Sequence, residues 1–102
     1  MDVVKAIEYK IGYAVFSMQD IAKELNMTPR TLQRRLKDEG TSYAQLRDSV
    51  RCRFAEEYLR DPTMDMATIA ASLGFSEPAN FYAAFKRWLG MSPGEYRKKC
   101  TL

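Results

Sequence analysis

The chain has 102 residues, of which 46% are hydrophobic and 28% are charged, and its formal net charge is +3. This length allows one domain or two very small subdomains, and the composition excludes a grossly acidic or disordered chain. No apolar run approaches the ~20 residues that a membrane span needs, so no membrane partner is expected.

Helical periodicity recurs along the chain, whereas no six-residue stretch has the alternation of a β-strand. Val4, Ile7 and Ile11 predict a first helix near residues 2 to 14. Six further helices are predicted to begin at side chains that can cap them. These caps are Ser17, Thr28, Ser42, Asp65, Ser76 and Ser92. The sequence therefore predicts an all-α fold of about seven helices.

The longest predicted helix runs from Ser42 to about Arg60, where Asp61 and Pro62 end it. Its apolar stripe repeats every four residues, at Leu46, Val50, Phe54 and Tyr58. Three other helices are predicted to end at glycines. These glycines are Gly40, Gly74 and Gly90. Residues 97 to 102 are expected to fray.

The chain contains no histidine and only two cysteines, Cys52 and Cys100. A histidine-ligated metal, a histidine general base and a four-cysteine zinc site are therefore excluded. No glycine loop that could cradle phosphates is visible, and no nucleophile lies beside a base, so we expect no cofactor and no enzymatic activity. Free thiols and the lack of a secretory signal predict a cytoplasmic protein, although a disulfide between the two cysteines is left open.

Cations cluster in two stretches of the chain. Residues 28 to 37 contain four cations and no acid, and residues 86 to 99 contain five cations and one acid, Glu95. The charged residues between positions 61 and 77 are all acidic. Clustered cations on short helices suit a polyanion with phosphates at fixed spacing, although a solvated surface gives the same pattern.

An internal repeat separates these two interpretations. Residues 21 to 28 (IAKELNMT) match residues 69 to 76 (IAASLGFS), and the glycine-terminated helices that follow also match. Asn26 or Gly74 can take the left-handed backbone of a tight turn, and Met27 or Phe75 can pack between the two helices. Each copy has the layout of a helix-turn-helix. An ordinary helical hairpin would explain one copy, but two copies with basic faces or flanks favour DNA binding.

The sequence that contains this repeat resembles the C-terminal DNA-binding domain of AraC/XylS-type bacterial transcription regulators. The resemblance extends from about residue 17 to residue 97, and its strongest part is residues 69 to 76, followed by Phe81, the 85–87 run FKR, Gly90, Ser92-Pro93 and the 95–97 run EYR. It implies two helix-turn-helix subdomains joined by a linker helix, here predicted as residues 1–41, 42–61 and 62–102. It also implies regulation of transcription, with an effector-binding domain outside this chain.

Two stretches depart from the family pattern. Residues 36 to 40 are one residue shorter than the commoner form, and the second recognition helix begins with the residues SEPAN, at 76 to 80, which offer little base-reading chemistry. The alternative hypothesis is a protein-interaction module that docks on RNA polymerase through the acidic stretch. Steep salt dependence of binding would favour DNA over that alternative.

The predicted base-reading residues lie mostly on the first recognition helix. On its outer stripe, Arg30 and Arg34 can form hydrogen bonds with guanine, and Gln33 can form them with adenine. On the second recognition helix the candidate is Asn80. Phosphate contacts are predicted for hydroxyls and cations around both helices. They are Thr28, Thr31, Arg35, Lys37, Ser76, Tyr82, Lys86 and Arg87.

The linker helix sets the distance between these two surfaces. About 19 residues at ~1.5 Å each span roughly 28 Å, close to the ~34 Å turn of duplex DNA. The two recognition helices are therefore predicted to enter successive major grooves. The arginines of the linker, Arg47, Arg51 and Arg53, either touch phosphate or pair with Asp48, Glu56 and Glu57, and pairing is favoured.

Overall fold

The computed structural model describes residues 3–10 and 17–100, and within these ranges it contains seven α-helices and no strand. The all-α prediction is thereby confirmed. No helix in the described part of the chain is long and apolar enough to cross a bilayer. The helices are α1 (Val3–Lys10), α2 (Met18–Glu24), α3 (Pro29–Asp38), α4 (Tyr43–Leu59), α5 (Met66–Ser72), α6 (Pro78–Leu89) and α7 (Pro93–Cys100). The predicted extension of the first helix over residues 11 to 14 lies outside the described residues.

Side-chain caps begin most of these helices, as the sequence predicted. Ser17 and Asp20 form a complete capping box on α2, with the Ser17 N–H donating to the Asp20 carboxylate over 2.8 Å. Thr28 accepts from the N–H of Thr31 over 3.1 Å at the start of α3, and Asp65 caps α5. At α4 the Ser42 hydroxyl accepts one hydrogen bond as predicted. These contacts satisfy N–H groups that a helix leaves unpaired in its first turn.

The predicted cap at Ser76 is wrong. Glu77 is the N-cap of α6, it makes no side-chain cap hydrogen bond, and Pro78 is the first helical residue. Had Ser76 been the cap, Glu77 would have needed a helical backbone. A residue before proline is instead held extended, so the helix begins one residue later. The Ser76 hydroxyl accepts a hydrogen bond from the Asn80 amide over 3.3 Å.

The two copies of the repeat close their turns with the same backbone geometry. Asn26 and Gly74 both have positive φ angles, 58° and 89°. The next residue in each copy donates its N–H to a carbonyl five residues back, Met27 to Ala22 over 2.8 Å and Phe75 to Ala70 over 3.0 Å. A left-handed residue at this position reverses the chain after one helix and starts the next.

The long helix α4 lies between two groups of helices. Helix α1 packs on α2 and α4, and α2 packs on α3, whereas α5 and α7 pack on α4 and on α6. The buried positions of α4 therefore form two stripes, because different helices cover its different sides. The molecule measures 44 × 25 × 21 Å.

The C-terminal helix is anchored at Arg97. Its Nε donates to the Leu59 carbonyl over 3.0 Å, and its Nη2 donates to the carbonyls of Asp61 and Met64 over 3.0 and 2.7 Å. The expectation that the chain frays from residue 97 is therefore wrong for residues 97 to 100, because Arg97 caps the end of α4 from another helix. Residues 101 and 102 lie outside the described range.

Candidate DNA interface

The outer face of α3 is polar, cationic and uncovered. Leu32 and Leu36 are 0% and 1% exposed and hold the opposite face against the core. No side-chain hydrogen bond or ion pair with another described residue engages the polar side chains on the outer face. These exposed side chains are Arg30, Gln33, Arg34, Arg35 and Lys37. The helix also has no acid in its first turn, so no local carboxylate opposes an anion there.

The hydroxyls of Thr28 and Thr31 are joined at the start of α3. Thr28 Oγ1 accepts from the Thr31 N–H and donates to Thr31 Oγ1 over 3.0 Å. The Thr31 hydroxyl donates to no other residue in the described ranges. The phosphate contacts predicted for Thr28 and Thr31 stay predictions.

A cleft of about 720 Å³ opens beside this face. Gln33 and Lys37 of α3 form one wall, and Tyr43 and Arg47 of α4 form another. The nearest carboxylate to Arg47 is that of Asp48, 3.5 Å from Nη2, and the buried Nε of Arg47 has no hydrogen-bond partner among the described residues. Burial raises the pKa of Tyr43, which therefore stays protonated as part of the cleft wall.

Helix α6 presents a less cationic surface. Phe81 and Phe85 are fully buried and Trp88 is half-buried, so the aromatic side of the helix faces the core. The other side of the helix is exposed at Ala79, Asn80, Tyr82, Ala83 and Lys86. The Asn80 amide nitrogen already donates a hydrogen bond to the Ser76 hydroxyl. A base that binds Asn80 would therefore have to displace this hydrogen bond or bind the amide while the bond is kept. Glu77 stands at the helix start, where it disfavours a phosphate.

Arg87 faces α4 rather than the outer stripe of α6. Its Nη2 lies 4.0 Å from the Asp48 carboxylate, and its side chain is 66% exposed. At this separation and exposure the ion pair contributes little to stability and leaves the guanidinium free to turn outward. A phosphate contact at Arg87 therefore stays a prediction.

The three arginines of α4 have different partners, and only one of them has the partner that the sequence favoured. Arg47 pairs with Asp48 as predicted, but Arg53 pairs over 2.9 Å with Glu8 on α1 instead of with its neighbours on α4. Arg51 is only 9% exposed and lies over the ring of Phe75. This burial was not predicted, because the apolar residues of α4 indicate a single stripe at Leu46, Val50, Phe54 and Tyr58. A second stripe at four-residue spacing could have indicated it, because Arg51 lies in line with the buried residues Ala55 and Leu59.

Neither a metal nor a disulfide is suggested by the residues present. No group of acids and cysteines in the described ranges is arranged to hold a metal ion. Cys52 and Cys100 are both free thiols, as favoured from the sequence. Burial, together with the Glu56 carboxylate, raises the pKa of Cys52, so its two arginine neighbours in the sequence do not activate it.

Comparison with known proteins identifies the family. Residues 21–99 match the model of a helix-turn-helix domain. An uncharacterized helix-turn-helix-type transcriptional regulator of Mycobacterium tuberculosis is 42% identical over 80 residues. The chain belongs to the AraC-type helix-turn-helix family. The resemblance seen in the sequence is thereby confirmed, and the matched residues cover most of the span from which it was derived.

Solved structures agree with this AraC-type assignment. A DNA-binding transcriptional dual regulator from Escherichia coli matches with a TM-score of 0.89 and 29% identity over 97% of this chain and 88% of that one. The DNA-binding domain of AdpA, a global transcriptional factor solved in complex with a target DNA, matches with a TM-score of 0.81 and 28% identity over 96% of this chain and 88% of that one. The fold of this AraC-type domain is therefore shared with domains of solved DNA-binding transcription regulators.

The AraC-type domain corresponds to part of a larger regulator in its sequence relatives. The match to the Mycobacterium tuberculosis protein covers 78% of this chain but 23% of that protein. The family to which the chain belongs is one of transcription regulators.

Proposed function

We propose that this AraC-type domain binds duplex DNA in a sequence-specific manner, with α3 in one major groove and α6 in the next. The observation that carries the proposal is the outer face of α3, where exposed cations meet no carboxylate of the described residues at ion-pair distance. A surface of this kind attracts a polyanion, and an α-helix fits the width of the major groove.

Base reading is assigned to the first turns of α3. Arg30 and Arg34 are one helical turn apart, with Gln33 beside Arg34, so all three project from one side of the helix. Arginine donates two hydrogen bonds to guanine, and glutamine pairs with the edge of adenine, each worth ~1–3 kcal/mol of discrimination. Backbone contacts are assigned around them, to Thr28, Thr31, Arg35 and Lys37.

Arg47 joins this backbone group on structural grounds. It lies in the wall of the cleft that Gln33 and Lys37 line, and its buried Nε has no partner among the described residues. The Arg47 side chain is 33% exposed, and a phosphate beside the first recognition helix would contact that exposed part and not the buried Nε. The neighbouring Asp48 fixes the guanidinium without neutralising it fully, because their contact is long at 3.5 Å.

The second unit is assigned mainly to anchoring. Asn80 is its single candidate for base reading by hydrogen bonds, since Ala79 and Ala83 offer only methyl contacts to thymine. Phosphate contacts are assigned to the hydroxyl and cationic side chains along α6 and its entry loop. They are Ser76, Tyr82, Lys86 and Arg87. Positional anchoring of this kind raises affinity without adding sequence information.

The length of α4 supports reading of two grooves. Its 17 residues span about 26 Å at ~1.5 Å per residue. This length approaches the ~34 Å that separates successive major grooves on one side of a duplex. With α4 as the linker, we propose that the chain divides into residues 1–41, 42–61 and 62–102.

Regulation of transcription requires partners beyond this chain. We assign an effector-binding domain to another part of the full regulator, because the matched relative is several times longer than this chain. RNA polymerase is the partner proposed for activation, and the cytoplasm is the proposed location. No catalytic role is assigned to the domain.

Selection of bound duplexes from a random pool tests the proposal. We expect an asymmetric site of about two helical turns and a steep loss of affinity with salt. Arg34→Ala should cost ~1–3 kcal/mol and relax the preference at one base pair, whereas the control Arg53→Ala removes the same charge from a residue that pairs with Glu8.

Two results would refute these assignments. Equal base preference for Arg34→Ala and the wild type would show that α3 does not read bases in this manner. Binding to duplexes that stays constant as salt rises would favour the protein-interaction module, since phosphate contacts always release counterions.

A further inference from the structure

Arg51 is a buried cation without a carboxylate partner in the described part of the chain. It lies on α4, is 9% exposed, and its Nε has no hydrogen-bond partner there. Burying a charge in this way is unfavourable unless other contacts compensate for the lost water. The Asp48 carboxylate favours the charged form of Arg51 without forming an ion pair with it, and a direct contact is made with Phe75, whose ring centroid lies 4.5 Å from the Arg51 guanidinium carbon.

The turn of the second helix-turn-helix is shaped around this guanidinium. Gly74 has a φ angle of +89°, and a Cβ added to it would lie 3.1 Å from Arg51 Nη2. The absence of a side chain therefore serves two purposes, the left-handed backbone and the close approach of Arg51. The equivalent residue of the first copy is Asn26, whose exposed side chain shows that no such approach is made there.

Phe75 carries the contact onward to α6. Its ring centroid lies 5.8 Å from that of Phe81 and 6.2 Å from that of Trp88, and both partners belong to α6. Aromatic rings packed in this way fix each other's position. A displacement of the Arg51 guanidinium would therefore move the turn and the recognition helix together.

We propose that Arg51 is a positioning residue that fixes the second helix-turn-helix on α4, and thereby sets the spacing between the two half-sites that the domain binds. The proposal rests on the two-groove binding proposed above. Arg51 itself is buried and touches no DNA. Its effect reaches the DNA through Phe75 and α6.

The chain offers a matched control for Arg51. Arg53 lies two residues further along the same helix, is 52% exposed and pairs with Glu8 of α1. Arg51→Met and Arg53→Met remove the same charge and keep a similar unbranched stem. Arg51→Lys keeps the charge but loses the planar group that stacks on the ring, and Phe75→Leu removes the ring.

The experiment measures binding of the whole chain to four duplexes. They are the selected site, the same site with its second half scrambled, and sites with one base pair inserted or deleted between the halves. For Arg51→Met we expect about a tenfold loss of affinity for the selected site, toward the value for the scrambled duplex. Binding to the scrambled duplex should match that of the wild type.

The dependence on spacing separates positioning from simple loss of stability. In Arg51→Met the penalty for inserting or deleting a base pair should shrink, because the second unit is no longer held at one distance. Phe75→Leu should show the same change, Arg51→Lys a smaller one, and Arg53→Met none. A variant that was only less stable would lose affinity for all four duplexes by the same factor.

Three results would overturn the proposal. Equal spacing profiles for Arg51→Met and Arg53→Met would show that Arg51 does not set the spacing. Loss of binding to the scrambled duplex in both Arg51 variants would show that Arg51 maintains the whole fold instead of one unit. A wild-type chain that ignores the second half-site would refute two-groove binding itself, and the role of Arg51 with it.

Discussion

Loss of the Arg97 guanidinium should destabilise the junction between α4 and α5. The perturbation is Arg97→Met, which keeps the stem and removes three hydrogen bonds to main-chain carbonyls. The contacts to the Leu59 and Met64 carbonyls are partly buried, and a buried acceptor without a partner costs about 1–3 kcal/mol. The Asp61 contact is exposed, so water replaces it at little cost.

Two fully buried acceptors would cost about 2–6 kcal/mol together; because these two are only partly buried, we expect a loss of about 2–4 kcal/mol, a large part of the ~5–15 kcal/mol that stabilises a typical domain. Urea unfolding followed by circular dichroism, without DNA, measures this difference. Lys99→Met is the control, because Lys99 is exposed on the same helix and its loss should change stability by less than about 0.5 kcal/mol. Equal midpoints for the two variants would show that Arg97 does not hold the end of α4.

Two further predictions concern the turns and the caps. Gly74→Ala should destabilise the fold by about 1 kcal/mol more than Gly40→Ala, because both have positive φ but only the Cβ at 74 meets another side chain; equal urea midpoints would contradict this. Hydrogen bonds from the Thr68 N–H and hydroxyl lower the pKa of Asp65, so its contribution to stability is present above the unfolded-state pKa and is lost as the pH falls below about 4. Asp65→Asn keeps a cap that cannot titrate, and its unfolding temperature should fall less on acidification than that of the wild type; parallel pH profiles would exclude the effect.

Local chemistry explains why much of this fold could be predicted. A cap such as Thr28 and a left-handed residue such as Asn26 act within a few residues of themselves, so the sequence alone specifies them. The repeat added a second, independent instance of the same turn, and both turns have the same hydrogen bond. The error at Ser76 is also local: the proline at 78 outweighed the capping preference of the serine two residues earlier.

Contacts between distant segments could not be read in the same way. Arg51 and Phe75 are 24 positions apart, and nothing in the sequence around position 51 indicates which ring will cover it. Arg97 caps a helix that ends 38 positions earlier. In the sequence, Arg97 is one of the cations of the basic stretch 86–99. Nothing in the neighbouring residues distinguishes a solvated arginine from one that donates to buried carbonyls. Such contacts depend on how helices pack, which local patterns do not encode.

The partners of the cations, more than their number, distinguish the proposed binding face. Arginines on α4 and α7 are engaged by the protein itself, through a carboxylate at Arg53, a ring at Arg51 and carbonyls at Arg97. Charges separated by more than ~8 Å are largely screened at physiological salt, so distant acids do little to neutralise a cation. Arg30 and Arg34 meet no described carboxylate within ion-pair distance, which gives α3 a stronger local potential than a net charge of +3 suggests. In the function proposed above, these side chains become ordered when they bind a phosphate or a guanine.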